Sequence, residues 1–277
     1  MASLDVRTAV APFVRSVAQE LSGPGTVTNE SPDESSIESS IESSSDRTLS
    51  AWSERWAEID RTAGQTVADF RTSGAAEGSL EGDVLAAVVA GVPDGTTLFV
   101  SNSMPVRDLD AFGGAGKPLR VYGNRGASGI DGIVSTVAGI AAASDGRSPV
   151  VAVLGDVAFF HDMNGLFAVA QYGLDIVFVV INNDGGGIFH MLPIRDHEPE
   201  FTRYFATPHG LDFRHVAALY GIPYRCVERA AGTAEVFGEV LVGTGPRILE
   251  VRSDRDQNHR NRQAVTEAVR QAVTALF

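Results

Sequence analysis

Apolar residues follow two rhythms along this chain, and the shorter one sets the fold. TLFVS at 97–101, VVAVL at 150–154 and IVFVVI at 176–181 are apolar runs with almost no polar interruption, too short for helices. Such runs predict strands buried on both faces. Residues 118–122 and 247–251 predict two further strands. Between them the apolar spacing relaxes to the helical period of about 3.6 residues. That spacing predicts helices over 80–90, from the glycine-rich stretch after 123 up to 143, over 162–172, 211–220 and 231–242, and over 260–276. Strand and helix alternate throughout. The expected fold class is therefore α/β, a mostly parallel sheet with helices on both faces.

The amino-terminal part reads differently. Val6, Val10, Phe13, Val14 and Val17 share one face, which predicts an amphipathic helix over 1–22. Residues 23–50 are dominated by Ser, Glu and Asp and predict a disordered acidic linker, whose repeated SSIESS is low complexity rather than a structural repeat. Trp52, Trp56, Ile59, Val67 and Phe70 then mark a helix over 51–73, and a second linker to residue 78 leads into a main domain at 79–277.

The chemistry is expected where the strands end. Gly155-Asp156 closes one buried run, and Asn182-Asn183 closes the next. Open α/β sheets bind ligands beyond the carboxyl ends of their strands. A carboxylate and a carboxamide there suit Mg²⁺, which takes oxygen ligands and shares them with phosphates. Each half alone reads as a helix cap or a turn. Together, on two strands, they read as a metal site. GGAGKP at 113–118 is not a phosphate-binding loop, because Pro118 stands where a hydroxyl should meet the metal. No G-x-G-x-x-G follows the first strand, so a nicotinamide cofactor is not indicated.

Composition narrows the partners. The chain has 277 residues with a formal net charge of −13, and Lys117 is its only lysine. That balance argues against nucleic acid or an anionic membrane, and it resembles the acidic surfaces of proteins from salt-loving organisms. No apolar run reaches the ~18 residues a membrane span needs. The first residues lack the features of a secretory signal. Cys226 is the only cysteine, which excludes an internal disulfide and makes a reducing cytoplasm the expected location.

Asp156 and Asn183 lie roughly 27 residues apart, and this spacing resembles the signature of thiamine diphosphate enzymes. NSMPVRDLD at 102–110, NRGASGIDG at 124–132 and GGGIFHMLP at 185–193 narrow the likeness. These motifs, across residues 80–275, resemble the 2-succinyl-5-enolpyruvyl-6-hydroxy-3-cyclohexene-1-carboxylate synthases of menaquinone biosynthesis. The resemblance implies thiamine diphosphate as cofactor, with Mg²⁺ or Mn²⁺ held by Asp156, Asn183 and the Gly185 carbonyl. Gly155 and Gly186 would complete the diphosphate cradle. It implies decarboxylation of 2-oxoglutarate and addition of the succinyl-semialdehyde unit to isochorismate, with Ser103, Arg107 and Arg125 binding substrate carboxylates. Arginine suits that task because its planar fork can grip a carboxylate with two bonds. Ile130 would hold the cofactor bent, and Ile188, Phe189 and Leu192 would form an apolar wall beside it. His161 and His190 fall near the site without an assigned role. The family also uses a glutamate from a separate pyrimidine-binding domain, so a partner domain or chain and a homo-oligomer are expected, with residues 1–78 as the end of a middle domain. Two alternatives stay open: another thiamine-dependent 2-oxoacid decarboxylase or acetolactate-type carboligase, and a non-catalytic fragment.

Overall fold

The computed structural model describes residues 4–5, 51–74, 80–114, 116–124, 126, 128–144, 146 and 149–277. Its centre is one sheet. Strands β2 (Thr97–Val100), β3 (Arg120–Tyr122), β4 (Val150–Gly155), β5 (Ile176–Asn182), β6 (Tyr224–Val227) and β7 (Arg247–Arg252) all run parallel, in the order β3-β2-β4-β5-β7-β6. A two-residue strand, β1 (Leu4–Asp5), pairs antiparallel with β3 at the edge. These two residues therefore lie in a strand, whereas the apolar spacing had placed them in a helix. The rest of that helix and the acidic linker fall outside the described residues.

Alternate side chains of each central strand enter opposite layers of core. Val151 and Val153 of β4 and Val177, Val179 and Ile181 of β5 belong to one apolar cluster. Val150, Ala152 and Leu154, with Ile176, Phe178 and Val180, belong to the other. This is the period-2 geometry of a strand, with both faces covered. Helices α2 (Gly82–Gly91) and α8 (Thr233–Val242) close the first face through residues such as Leu85, Val88 and Phe237. Helices α4 (Ile133–Ala142), α5 (Asp156–His161), α6 (Leu166–Gln171) and α7 (Phe213–Tyr220) close the second through Val134, Phe159, Leu166 and Phe213.

The remaining helices are α1 (Ala51–Thr72), α3 (Met104–Phe112) and α9 (Arg255–Thr274). Val67 and Phe70 of α1 pack toward Leu80, Phe112 and Val265, and Arg55 donates to the Leu276 carbonyl while lying over the Phe277 ring. Helix α1 thus lies along α9, against the sheet domain. Trp52 and Trp56, expected on the apolar face of α1, are instead exposed and touch each other edge to face.

Further elements differ from the sequence expectation. Strand β6 carries an exposed Arg225 at the sheet edge, so no apolar run announces it. Residues 104–112, where the apolar spacing predicts no helix, form α3, with Pro105 in the first turn, where its missing N–H costs nothing. Of the helix expected over 162–172, Leu166–Gln171 forms α6 after a tight turn at Met163–Gly165, and α5 at Asp156–His161 is an additional helix before it. Helix α9 begins at Arg255 instead of 260, because the Asp254 side chain caps it by accepting from the Gln257 N–H. Among the described residues, no helix is long and apolar enough to cross a membrane.

Phe159 is fully buried and packs against both Phe178 and Phe213, with ring centroids 6.2 and 5.3 Å away. Phe159→Ala should lower the unfolding free energy by about 3–5 kcal/mol, read from chemical denaturation.

Candidate active site

Connections leave β2 toward β3 on one side, while the sheet continues toward β4 and β5 on the other. That reversal opens a crevice at the carboxyl ends of the strands. A cleft of about 470 Å³ occupies it, lined by loops after β2, β3, β4 and β5. Ser103, Arg107, Ile130, Gly155, Asp156, Asn183, Gly185, Gly186, Ile188 and Phe189 all reach this cleft. The sequence motifs therefore converge in space.

Asp156 opens α5 and is only 2% exposed. Its Oδ1 accepts from the Val157 N–H at 2.7 Å, and its Oδ2 accepts from the Gly185 N–H at 2.9 Å. His209 Nε2 lies 3.1 Å from the same Oδ2. Because His209 Nδ1 accepts from the Leu211 N–H, Nε2 carries the proton that Asp156 receives. This bond first, and then the charges of Asp156 and Asp184, hold the His209 pKa above its ordinary value.

The loop after β5 is pinned from behind. Arg255 donates to the carbonyls of Asn183 and Asp184 at 3.1 and 2.8 Å. Asp184 accepts from the backbone N–H groups of His209 and Gly210. Partial burial opposes ionisation of Asp184, but those N–H bonds outweigh it and keep the carboxyl below its usual range. The glycines beyond are obligatory. A Cβ on Gly185, where φ is +136°, would stand 2.0 Å from the Ala206 carbonyl oxygen, and one on Gly186 would stand 2.5 Å from that of Phe205.

Asn183 completes the centre. Its Nδ2 donates to Glu81 Oε1 at 2.9 Å, while its buried Oδ1 accepts no hydrogen bond. A buried carbonyl-type oxygen without a donor is costly in an isolated chain and suits a cation. Beside Asp156 it makes a hard-oxygen donor set. Among the described residues, no group of three or more His, Cys, Asp or Glu side chains is placed to hold a metal ion. Backbone strain gathers in the same place. The non-glycine residues with positive φ among the described residues are Ser103, Ser128, Asp184 and Thr207, of which three line the cleft and Asp184 sits between two that do.

Some expected residues lie elsewhere. Leu192 is 47% exposed and stands off the cleft. His190 is buried behind the loop, with Nδ1 at 3.2 Å from the Gly187 carbonyl and Nε2 at 3.0 Å from Asp256, so it anchors the loop to α9. His161 ends α5 on the exposed surface, away from the cleft. Asp162 accepts from the Ser135 backbone and hydroxyl in the first turn of α4. Arg125 lies outside the described residues. Glu81, His209, Phe205 and Thr207 also stand at this centre, although they belong to no recognised motif. Asn102 ties the loops together by donating to the Asn124 and Gly129 carbonyls, each at 2.6 Å.

A family model described as "Thiamine pyrophosphate enzyme, C-terminal TPP binding domain" matches residues 111–251, just over half of the chain. The chain belongs to the thiamine pyrophosphate enzymes. Within that family it resembles proteins named 2-succinyl-5-enolpyruvyl-6-hydroxy-3-cyclohexene-1-carboxylate synthase. The one from Natronomonas pharaonis is 52% identical over 178 residues, covering 64% of this chain and 30% of that protein. The one from Haloarcula marismortui is 51% identical over the same shares, and the one from Roseiflexus castenholzii is 47% identical over 65% of this chain and 31% of that one. The chain thus spans about 30% of the length of these relatives. The X-ray structure of a Mycobacterium smegmatis protein, described as a candidate thiamin diphosphate-dependent enzyme, superposes with a TM-score of 0.52 at 24% identity. It covers 64% of this chain and 32% of that one, and supports the fold alone.

In this thiamine pyrophosphate enzyme domain, Gly185→Ala should clash with backbone that cannot yield. We expect a stability loss of at least ~2 kcal/mol in chemical denaturation, since strain and overlap act together.

Proposed function

We propose that the chain forms the diphosphate- and metal-binding part of a synthase that decarboxylates 2-oxoglutarate and joins the resulting succinyl-semialdehyde unit to isochorismate. One juxtaposition carries this reading. A cation-type donor set, the Asp156 carboxylate and the unpartnered Asn183 Oδ1, shares one cleft with the exposed guanidinium of Arg107, in a chain whose net charge is −13. An acidic protein that binds dicarboxylates needs such a local cation. The similarity to named synthases agrees with it.

When bound, thiamine diphosphate supplies an electron sink for the decarboxylation of a 2-oxoacid. Asp156, Asn183 and the Gly185 carbonyl would hold the Mg²⁺ or Mn²⁺ that neutralises the diphosphate. Gly155 and Gly186 leave the backbone bare for close approach. Ile130, Ile188 and Phe189 give the cleft an apolar wall that excludes water and lowers local polarity, which favours loss of charge as carbon dioxide leaves. Arg107 is held by its own bond from Nη1 to the Ser103 carbonyl at 2.6 Å. With Ser103 and Arg125 it would fix the substrate carboxylates. A pyrimidine-binding domain or chain, assembly into a homo-oligomer and a cytoplasmic location belong to the same proposal. So does the origin of residues 51–78 as the end of a middle domain.

Calorimetry should show Mg²⁺-dependent binding of thiamine diphosphate that Asp156→Ala abolishes, and equal binding by that variant would remove Asp156 from the metal. Once complemented with a pyrimidine-binding segment, the chain should turn over 2-oxoglutarate with isochorismate. Arg107→Ala should then lower kcat/KM at least ~10-fold, the minimum for losing a charge-assisted bond. Preference for pyruvate would favour an acetolactate-type carboligase instead.

A further inference from the structure

Glu81, like His209, reaches the candidate metal centre from outside every strand-end motif. It stands just before α2 and is 1% exposed. Asn258 of α9 accepts from its backbone N–H at 2.9 Å and so fixes the backbone at that point. Its side-chain Oε1 receives two donors, Asn183 Nδ2 at 2.9 Å and the Ser253 hydroxyl at 2.6 Å. A carboxyl oxygen taking two donors leaves a carboxamide only one way to face. The NH₂ must turn toward Glu81, and Oδ1 must turn away from it. That Oδ1 is the buried oxygen with no hydrogen-bond partner.

We propose that Glu81 is a positioning residue, which locks the Asn183 carboxamide with its oxygen presented to the cation. This rests on the metal role of Asn183 given above. Without Glu81 the two ends of the carboxamide would be nearly equivalent in shape. A flipped Asn183 would offer two N–H groups to a cation and repel it. The lock needs an acceptor at Oε1 rather than a charge. Burial pushes the Glu81 carboxyl above the ordinary range, against the bonds from Ser253 and Asn183 that lower it.

The chemistry separates two substitutions. Glu81→Gln keeps a carbonyl oxygen in place and removes the charge. Glu81→Met fills the same space and removes the acceptor. Binding of Mn²⁺ with inorganic diphosphate, followed by electron paramagnetic resonance of the free ion, reads the result without any turnover. We expect Glu81→Gln to bind within about threefold of the unsubstituted chain, and Glu81→Met at least tenfold more weakly. We also expect Glu81→Met to have no further effect once Asn183→Ala is present, because Glu81 acts only through Asn183.

Equal losses for the Gln and Met variants would show that charge, not orientation, is at work, and would overturn the proposal. So would an undiminished loss in the Asn183→Ala background, the mark of a merely structural role. If the unsubstituted chain binds no Mn²⁺ with diphosphate, the metal site itself fails and Glu81 with it. Binding that Glu81→Met leaves unmoved sinks Glu81 alone. Should Glu81→Met not fold, the unsubstituted chain still decides. On adding Mg²⁺ and diphosphate, the ¹³Cγ resonance of Asn183 should shift while its Nδ2 protons stay protected from exchange, and loss of that protection would refute the lock.

Discussion

The register between β4 and β5 is the constraint on which the site depends. Gly155 stands opposite Ile181, so the chain leaves the two strands at the same height. Asp156 and Asn183 therefore emerge side by side although a whole helical crossover separates them in sequence. The period of a strand is two, so a slip of one residue would turn every side chain of β5 to the wrong layer. Val177, Val179 and Ile181 on one face, and Ile176, Phe178 and Val180 on the other, forbid that slip through burial. The apolar core thus sets the position of polar groups that contribute nothing to it. The Gly185 N–H, bonded to Asp156 Oδ2, then closes the two loops onto each other.

Helix α9 holds this arrangement from behind. Its first turns supply Arg255 to the Asn183 and Asp184 carbonyls, Asp256 to His190, Asn258 to Glu81 and Arg262 to Asp108. These contacts meet the loop after β5 twice, the start of α2 and the middle of α3. Asp108 is fully buried, and desolvation pushes its pKa to about 7 despite the opposing charge of Arg262. Glu250, also fully buried, accepts from Asn182, Tyr224 and Arg252. A strongly acidic chain thus keeps its interior carboxyls only where a donor meets them, as burial of such groups demands. Helix α1 packs along the outside of the same helix and joins it to the Leu80–Phe112 cluster.

The strands were legible because parallel central strands must be apolar on both faces, and few other elements look like that. Edge strand β6 was not, since Arg225 faces solvent and breaks the run. The start of α3 was not, because Asn102, Ser103 and Pro105 are residues common in turns, although Pro105 here occupies a first helical turn. The cleft itself was legible through Asp156, Asn183 and the loop motifs, because metal and phosphate chemistry restricts residue types at strand ends. Glu81 and His209 were not, because what matters about them is the partner they meet. Glu81 lies over a hundred positions before Asn183, and His209 more than fifty after Asp156. No local pattern encodes either meeting. Leu192 shows the reverse case, an apolar residue of a recognised motif that stands off the cleft. Its apolar character fitted the wall, but the turns after Gly187 carry it outward.

The same cleft collects most of the unfavourable backbone in the described molecule. Ser103, Ser128, Asp184 and Thr207 hold positive φ values, at a cost on the order of 1–3 kcal/mol each for the sparsely populated conformations. Asn183 adds a buried oxygen without a donor, about 1–3 kcal/mol more. None of these features helps the fold, and each would relax if the surrounding contacts allowed it. They persist because β4 and β5, Arg255 and the Asn102 bonds leave the loops no alternative path. Rigid apolar strands and strained polar loops are therefore parts of one device. The first supplies the stability that the second consumes in holding oxygens and bare backbone open toward a ligand.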